Sequence, residues 1–224
     1  MSRPLKKRTS ESDPAAVTMR ACEQVLQPYP SFLILGAMSD AHYLRNHFLI
    51  AMPQLADPHF SQTVTYICEH NKDGAMGIVI NRPLEIDLGD VLQHMQITPA
   101  EQVNTRASVL AGGPVQTEHG FVLHRPAGEW TSSLKITEGI TLTTSRDIMT
   151  AIGHHQGPAD FLLALGYAGW GAGQLEGEIR QNAWLSGPAD PAILFELPLA
   201  ERWSAAAALI GVDLRLLSSE AGHA

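Results

Sequence analysis

Cys68-Glu69-His70 places a thiol, a carboxyl and an imidazole on consecutive residues, the groups that nucleophilic and metal chemistry use. In a strand, Cys68 and His70 share a face, so the spacing permits a thiol–imidazole couple. Zinc needs three or four convergent ligands, and this chain has two cysteines, Cys22 and Cys68, with no CxxC pair. No further ligand is indicated, and Cys68 reads as a small buried hydrophobe. His154 and His155 are adjacent and diverge on any regular element. HExxH and GxSxG are both absent, so zincin and serine-hydrolase chemistry have no support. No catalytic residue, metal site or cofactor is assigned.

Three other groups have the chemistry to hold a ligand. His70-Asn71 and Asn81-Arg82 lie at opposite ends of one hairpin sequence; His70 with Arg82 would suit a carboxylate or phosphate, while the plainer role is capping, with Arg82 paired to an acidic neighbour. Gly169-x-Gly171-x-Gly173, read as a glycine-rich helix entry, would present backbone N–H groups to an anion. It lacks the Lys-Ser/Thr of a P-loop, and close packing of the chain beside Trp170 is the favoured reading. Tyr167, Trp170 and Trp184 suit a pocket wall or a core. Glu176 and Glu178 are two apart on a helix and face different directions, so they make a poor acid pair. The candidate ligand-binding set is His70, Asn71, Asn81, Arg82, Gly112, Gly113, Tyr167, Trp170, Gly171 and Gly173.

The elements that must position these groups follow from periodicity. Phe48 to Met52 is a short apolar strand stopped by Pro53. Asp57-Pro58-His59-Phe60 is a turn. Val64, Tyr66 and Cys68 alternate with Thr63, Thr65, Ile67 and Glu69. Asn71 to Gly74 form a tight turn, and Gly77 to Ile80 return as a strand that Pro83 ends. Asp87 caps a helix whose stripe is Leu88, Val91, Leu92 and Met95. Ser108 to Ala111 and Gly120 to His124 are strands, and Ile136, Ile140 and Leu142 mark further pieces. Thr144 or Ser145 caps a helix carrying Ile148, Ala151 and Ile152. Phe161 to Leu165 is a buried strand. A helix runs from Gln174 to about Asn182, and a last one from about Leu199 to Ile210, with Trp203, Ala206, Ala207 and Ile210 on one side and Gly211 beyond. Strands and helices intermingle without a βαβ rhythm, which reads as α+β in one domain.

The 224 residues carry a net charge of −8, unevenly spread. Residues 1–43 hold five basic and four acidic groups, net +1, which leaves −9 for residues 44–224. An acidic domain repels phosphate backbones, so direct nucleic-acid binding is disfavoured. No apolar run is long enough to span a bilayer, and no apolar stretch follows the basic N-terminus as a secretory signal requires. Two cysteines do not make a disulfide scaffold, and a reducing cytoplasm fits. Residues 1–43 lack a sustained period and read as an extension, disordered or weakly helical around Ala15 to Leu26. Met38-Ser39-Asp40 looks like a start of translation, so the preceding residues are expected to be dispensable for the fold.

Several stretches, in order, resemble the YqgE/AlgH family of bacterial proteins: His47 to Pro53, Tyr66 to Asn71, Gly74 to Pro83, Gly112 to Gln116, Gly120 to His124 and Leu165 to Glu176. They span about residues 44–211. The resemblance implies a strongly bent, mainly antiparallel sheet, partly closed into a barrel and surrounded by helices. It implies little chemistry and supplies no catalytic residues; some members carry the label of transcriptional regulator. The expectation is a cytoplasmic binding or regulatory module whose partner is a small anion or a protein. The alternatives are an enzyme acting on a small anionic substrate and a direct DNA-binding regulator.

Overall fold

The computed structural model describes residues 43–217; the weak helix expected around Ala15 to Leu26 lies outside them. Ten strands form one sheet that curls into a half-barrel. The strands are β1 (His47–Ala51), β2 (Val64–Asn71), β3 (Gly74–Val79), β4 (Pro83–Asp87), β5 (Ser108–Ala111), β6 (Val115–Arg125), β7 (Ser133–Lys135), β8 (Thr141–Thr143), β9 (Asp160–Gly171) and β10 (Trp184–Pro188). Their order is β10-β1-β2-β3-β9-β6-β8-β7. All these pairs are antiparallel; β5 runs parallel to β9 and pairs antiparallel with β4. The helices are α1 (Leu88–His94), α2 (Arg146–Gly153), α3 (Gln174–Arg180), α4 (Pro191–Phe195) and α5 (Arg202–Leu209), with short 3-10 turns at Leu199–Glu201 and Leu214–Leu217. This is the α+β, single-domain architecture that the periodicity predicts.

Local chemistry explains most boundaries. Asn71 accepts from the Asp73 N–H at 2.8 Å, and Gly74 takes φ +139°, so a two-residue loop joins β2 to β3. Asp87 accepts from the Asp90 N–H while Asp90 accepts from the Asp87 N–H, each at 3.0 Å, a capping box that starts α1. Asp190 caps α4, with Pro191 at its first position.

Four expectations need correction. Pro83 does not end β3, which stops at Val79; it opens β4, where no N–H is required of it. Ile136 and Ile140 lie just outside β7 and β8, in the turn between them. Ser145 occupies the cap position of α2, but its hydroxyl donates to Asp147 rather than accepting from the helix. Gly169 and Gly171 belong to β9, which runs on for twelve residues, and only Gly173 meets the helix.

Three apolar clusters hold the fold. The largest fills the curl with Phe48, Tyr66, Ile78, Leu123, Tyr167 and the Ala206–Ala207 face of α5. A second joins α1 and α2 to the outer face of β6 and β9. A third packs Ile67, Trp170 and Trp184 beneath α3. β2 serves the first and third at once, which explains its near-continuous burial. Each fully buried Leu, Ile or Phe side chain stabilises the fold by about 1.5–3 kcal/mol.

Candidate functional site

β2 carries a bulge. Ile67 faces Gly77 and Glu69 faces Met76, so Cys68 is the extra residue. Directly opposed residues of an antiparallel pair share a face. Met76 belongs to the cluster inside the curl and Ala75, opposite His70, to the one beneath α3. The bulge therefore separates Cys68 from His70, which regular alternation would have put together. Cys68 is sealed in the core, its Sγ against the Tyr66 carbonyl at 3.6 Å. Burial first, and the Glu69 charge second, push the thiol pKa up, the opposite of an activated nucleophile.

The same register assembles a cleft on the Met76 face, the one opposite His70. Across β2, β3 and β9 one row reads Glu69, Met76, Gly169 and the next reads Asn71, Gly74, Gly171. The glycines leave the sheet bare where β-strands normally carry side chains, and an open cleft of about 340 Å³ results. Tyr167 and Val115, paired across β9 and β6, close one end, and Asp73 stands at the turn. Tyr167 is 7% exposed, its ring edge-on to Phe121 at 5.6 Å. Among the described residues its hydroxyl has no hydrogen-bond partner, and burial raises its pKa. The ionisable side chains besides it are Glu69 and Asp73. Neither forms an ion pair among the described residues; Glu69 receives one long contact, 3.4 Å, from the Asn71 amide.

Of the ten candidates, Asn71, Tyr167, Trp170 and Gly171 line this cleft. His70 and the Trp170 indole are on the reverse face. The His70 Nδ1 accepts from the Leu44 N–H at 2.9 Å, so Nε2 carries the proton and donates to Glu176 at 3.0 Å. Both Trp170 and Trp184 donate their indole N–H to one oxygen of Glu178, at 2.9 and 2.8 Å, and Gln174 donates to the other. Glu176 and Glu178 thus lock α3 onto the sheet. Gly173 caps α3 at φ +72°, and the Gly171 N–H is taken by Gln174 at 3.0 Å.

Asn81 and Arg82 lie at the far end of β3. Asn81 accepts from the Val64 N–H and donates to the Gln62 carbonyl, both 2.9 Å. Arg82 donates to the Pro58 and Ser61 carbonyls, not to an acidic neighbour, and straps down the turn at Asp57 to Phe60. Gly112 and Gly113 form the seam between β5 and β6. A Cβ on Gly112 would meet the Gly166 carbonyl oxygen at 2.3 Å, and one on Gly113, at φ +154°, the Tyr167 main chain at 2.1 Å. Only glycine fits there.

Sequence reasoning did not single out Glu69, Asp73, Met76, Val115 or Gly169 as cleft residues; the strand-to-strand rows that unite them are invisible until the pairing is known. It also passed over two buried polar devices. Arg202 is 3% exposed and donates to the Leu197 and Ile80 carbonyls at 3.0 and 2.8 Å, with burial lowering its pKa to about 10. His124 is fully buried; its Nδ1 donates to the Pro126 carbonyl at 3.2 Å, so Nε2 accepts from Thr143 at 2.9 Å, and Thr143 meets Ser133 at 2.8 Å. Burial lowers the His124 pKa and makes it a weak base for Thr143, the hydroxyl it faces.

A larger cleft, about 620 Å³, opens at the other end of β9 between Gln102–Ala107, Gly157–Phe161 and Phe195. None of the candidates lines it. Its Asp160 is already bound to Arg125 at 2.7 Å. Among the described residues no group of three or more His, Cys, Asp and Glu side chains is arranged to hold a metal ion, and no helix is long and apolar enough to cross a membrane.

Comparison with known proteins matches this architecture. The AlgH-like family DUF179 matches residues 48–215. A UPF0301 protein of Thioalkalivibrio sulfidiphilus is 59% identical over 187 residues, covering 84% of this chain and all of the relative. One from Methylococcus capsulatus is 56% identical over 185 residues, covering 83% and 98%. The solution structure of the AlgH protein from Pseudomonas aeruginosa superposes with a TM-score of 0.68 at 51% identity, covering 84% of this chain and all of that one. A crystal structure from Corynebacterium diphtheriae, 18% identical, shares the fold with a TM-score of 0.62, covering 81% and 95%. The chain belongs to the AlgH-like, UPF0301 family.

Proposed function

We propose that the domain is a ligand-binding regulatory module whose ligand sits in the cleft between the β2–β3 hairpin and β9. The observation that carries this reading is a concave site over a bare glycine floor, lined by the Tyr167 side chain and by two carboxylates, Glu69 and Asp73, that form no ion pair among the described residues. Such a concave site with a few convergent polar groups is the usual form of a small-molecule site. Among the described residues, Cys68 is sealed in the core and His70 is spent on Leu44 and Glu176 on the reverse face, so neither serves the cleft. It departs from the composite site expected at first, because Asn81, Arg82 and the Gly112–Gly113 seam serve the fold. The net charge of −9 over residues 44–224 weighs against direct DNA binding.

A thermal-shift screen with nucleotides, phosphates, carboxylates and amines tests the proposal on the full chain and on Gly171→Leu. A Cβ at Gly171 approaches only the Gln174 side chain, at 3.8 Å, so leucine fills the cleft without a clash at its root. A native-state ligand raises the midpoint. The proposal expects hits that raise it in the wild type and not in Gly171→Leu. Hits that act equally on both proteins refute it.

A further inference from the structure

We infer that the cleft between the hairpin and β9 selects a small organic cation, an alkylammonium or alkylguanidinium group, carried by a free amine or by a lysine or arginine side chain. The inference rests on the proposed binding function and gives it a chemical class. Its basis is electrostatic and geometric. Glu69 and Asp73, the only carboxylates lining the cleft, lack ion-pair partners among the described residues, and no cationic side chain lines it. An anion would meet two like charges and no counter-charge, which costs free energy in a concave, partly desolvated site. A cation finds two acceptors with lone pairs to spare.

The rest of the lining suits the carrier of such a group. Met76, Val115 and the Tyr167 ring offer apolar contact to an alkyl stem, and sulfur and aromatic surfaces tolerate an adjacent positive charge. The Tyr167 hydroxyl, with no partner among the described residues, can accept from an N–H of the head group. A volume of about 340 Å³ holds one such group with its stem, and the bare strip over Gly169 and Gly171 leaves space along β9 for more chain. Asn71 is partly occupied by the turn, so Glu69 and Asp73 are the charges that discriminate.

Calorimetric titration of the full chain with butylammonium and butylguanidinium chloride, against sodium butyrate and inorganic phosphate, tests this. A lysine-bearing and an arginine-bearing tripeptide form the arms that separate a free amine from a side chain. Binding of the two cations is expected, weakened about tenfold or more in the Glu69→Gln/Asp73→Asn double variant and weakened by added salt. Asp73 is exposed and Glu69 half-buried, and an unchanged unfolding midpoint verifies that the variant is folded. Butyrate or phosphate binding that Gly171→Leu abolishes, with no cation binding, overturns the cation assignment and leaves the binding cleft standing. Cation binding that persists in Gly171→Leu overturns both. Absence of heat with either cation at millimolar concentration also overturns the assignment.

Discussion

Asn81 uses both ends of its amide on main chain, fixing the approach to β2 through Val64 and Gln62. Asn81→Ala is therefore expected to cost about 1–3 kcal/mol, measured by urea unfolding; an unchanged free energy would remove it from the fold's supports. His124 gives a pH signature. Its folded pKa lies below the ordinary value, so between the two values the unfolded chain holds more protons. Stability is full above about pH 6.5 and declines as the pH falls through the folded pKa. His124→Asn should flatten that acid limb, and a limb of the same slope in the variant would assign it elsewhere. At this scale the sequence was partly legible. Burial of Cys68 follows from its place on an apolar strand face. The position of His70 did not, because a single extra residue in β2 reverses every side chain beyond it.

Glycine positions divide the elements into those that must be bare and those that happen to be. Gly113→Ala drives a Cβ to 2.1 Å from the Tyr167 main chain at a left-handed φ, and about 2–4 kcal/mol should be lost. Gly171→Ala, with open space above it, should stay within about 0.5 kcal/mol of the wild type. Equal effects in thermal unfolding would contradict the assignment of Gly112–Gly113 as a packing seam. Glu178 unites α3 with β9 and β10 through two indole N–H groups, so Glu178→Ala should cost about 2–3 kcal/mol and alter tryptophan fluorescence. Unperturbed emission would show that water substitutes for the carboxylate. The capped helix at Asp87 and the hairpin at Asn71–Gly74 were legible because short-range chemistry specifies them. Gly169 and Gly171 read as part of a helix entry because glycine carries no strand preference; the partners of β9, β3 and β6, about ninety and fifty residues away, make the segment a strand.

The molecule as a whole is one curled sheet with β9 at its hub, touched by β3, β5 and β6. Alternation and turn chemistry revealed that strands were present, whereas this non-local order could not be read from periods of two and 3.6. A chain beginning at Met38 keeps every described residue and is expected to unfold at the same temperature as the full chain; a large drop in midpoint would show that the earlier residues support the fold. Of the two clefts described, one at each end of β9, the one at the hairpin combines a bare floor with carboxylates that form no ion pair among the described residues. The most direct measurement is a backbone-amide NMR titration of the full chain with butylguanidinium. The account predicts that shifts concentrate at Glu69 to Met76 and Tyr167 to Gly171. Shifts concentrated instead at Gln102 to Ala107 and Gly157 to Phe161 would place binding in the larger cleft and contradict it.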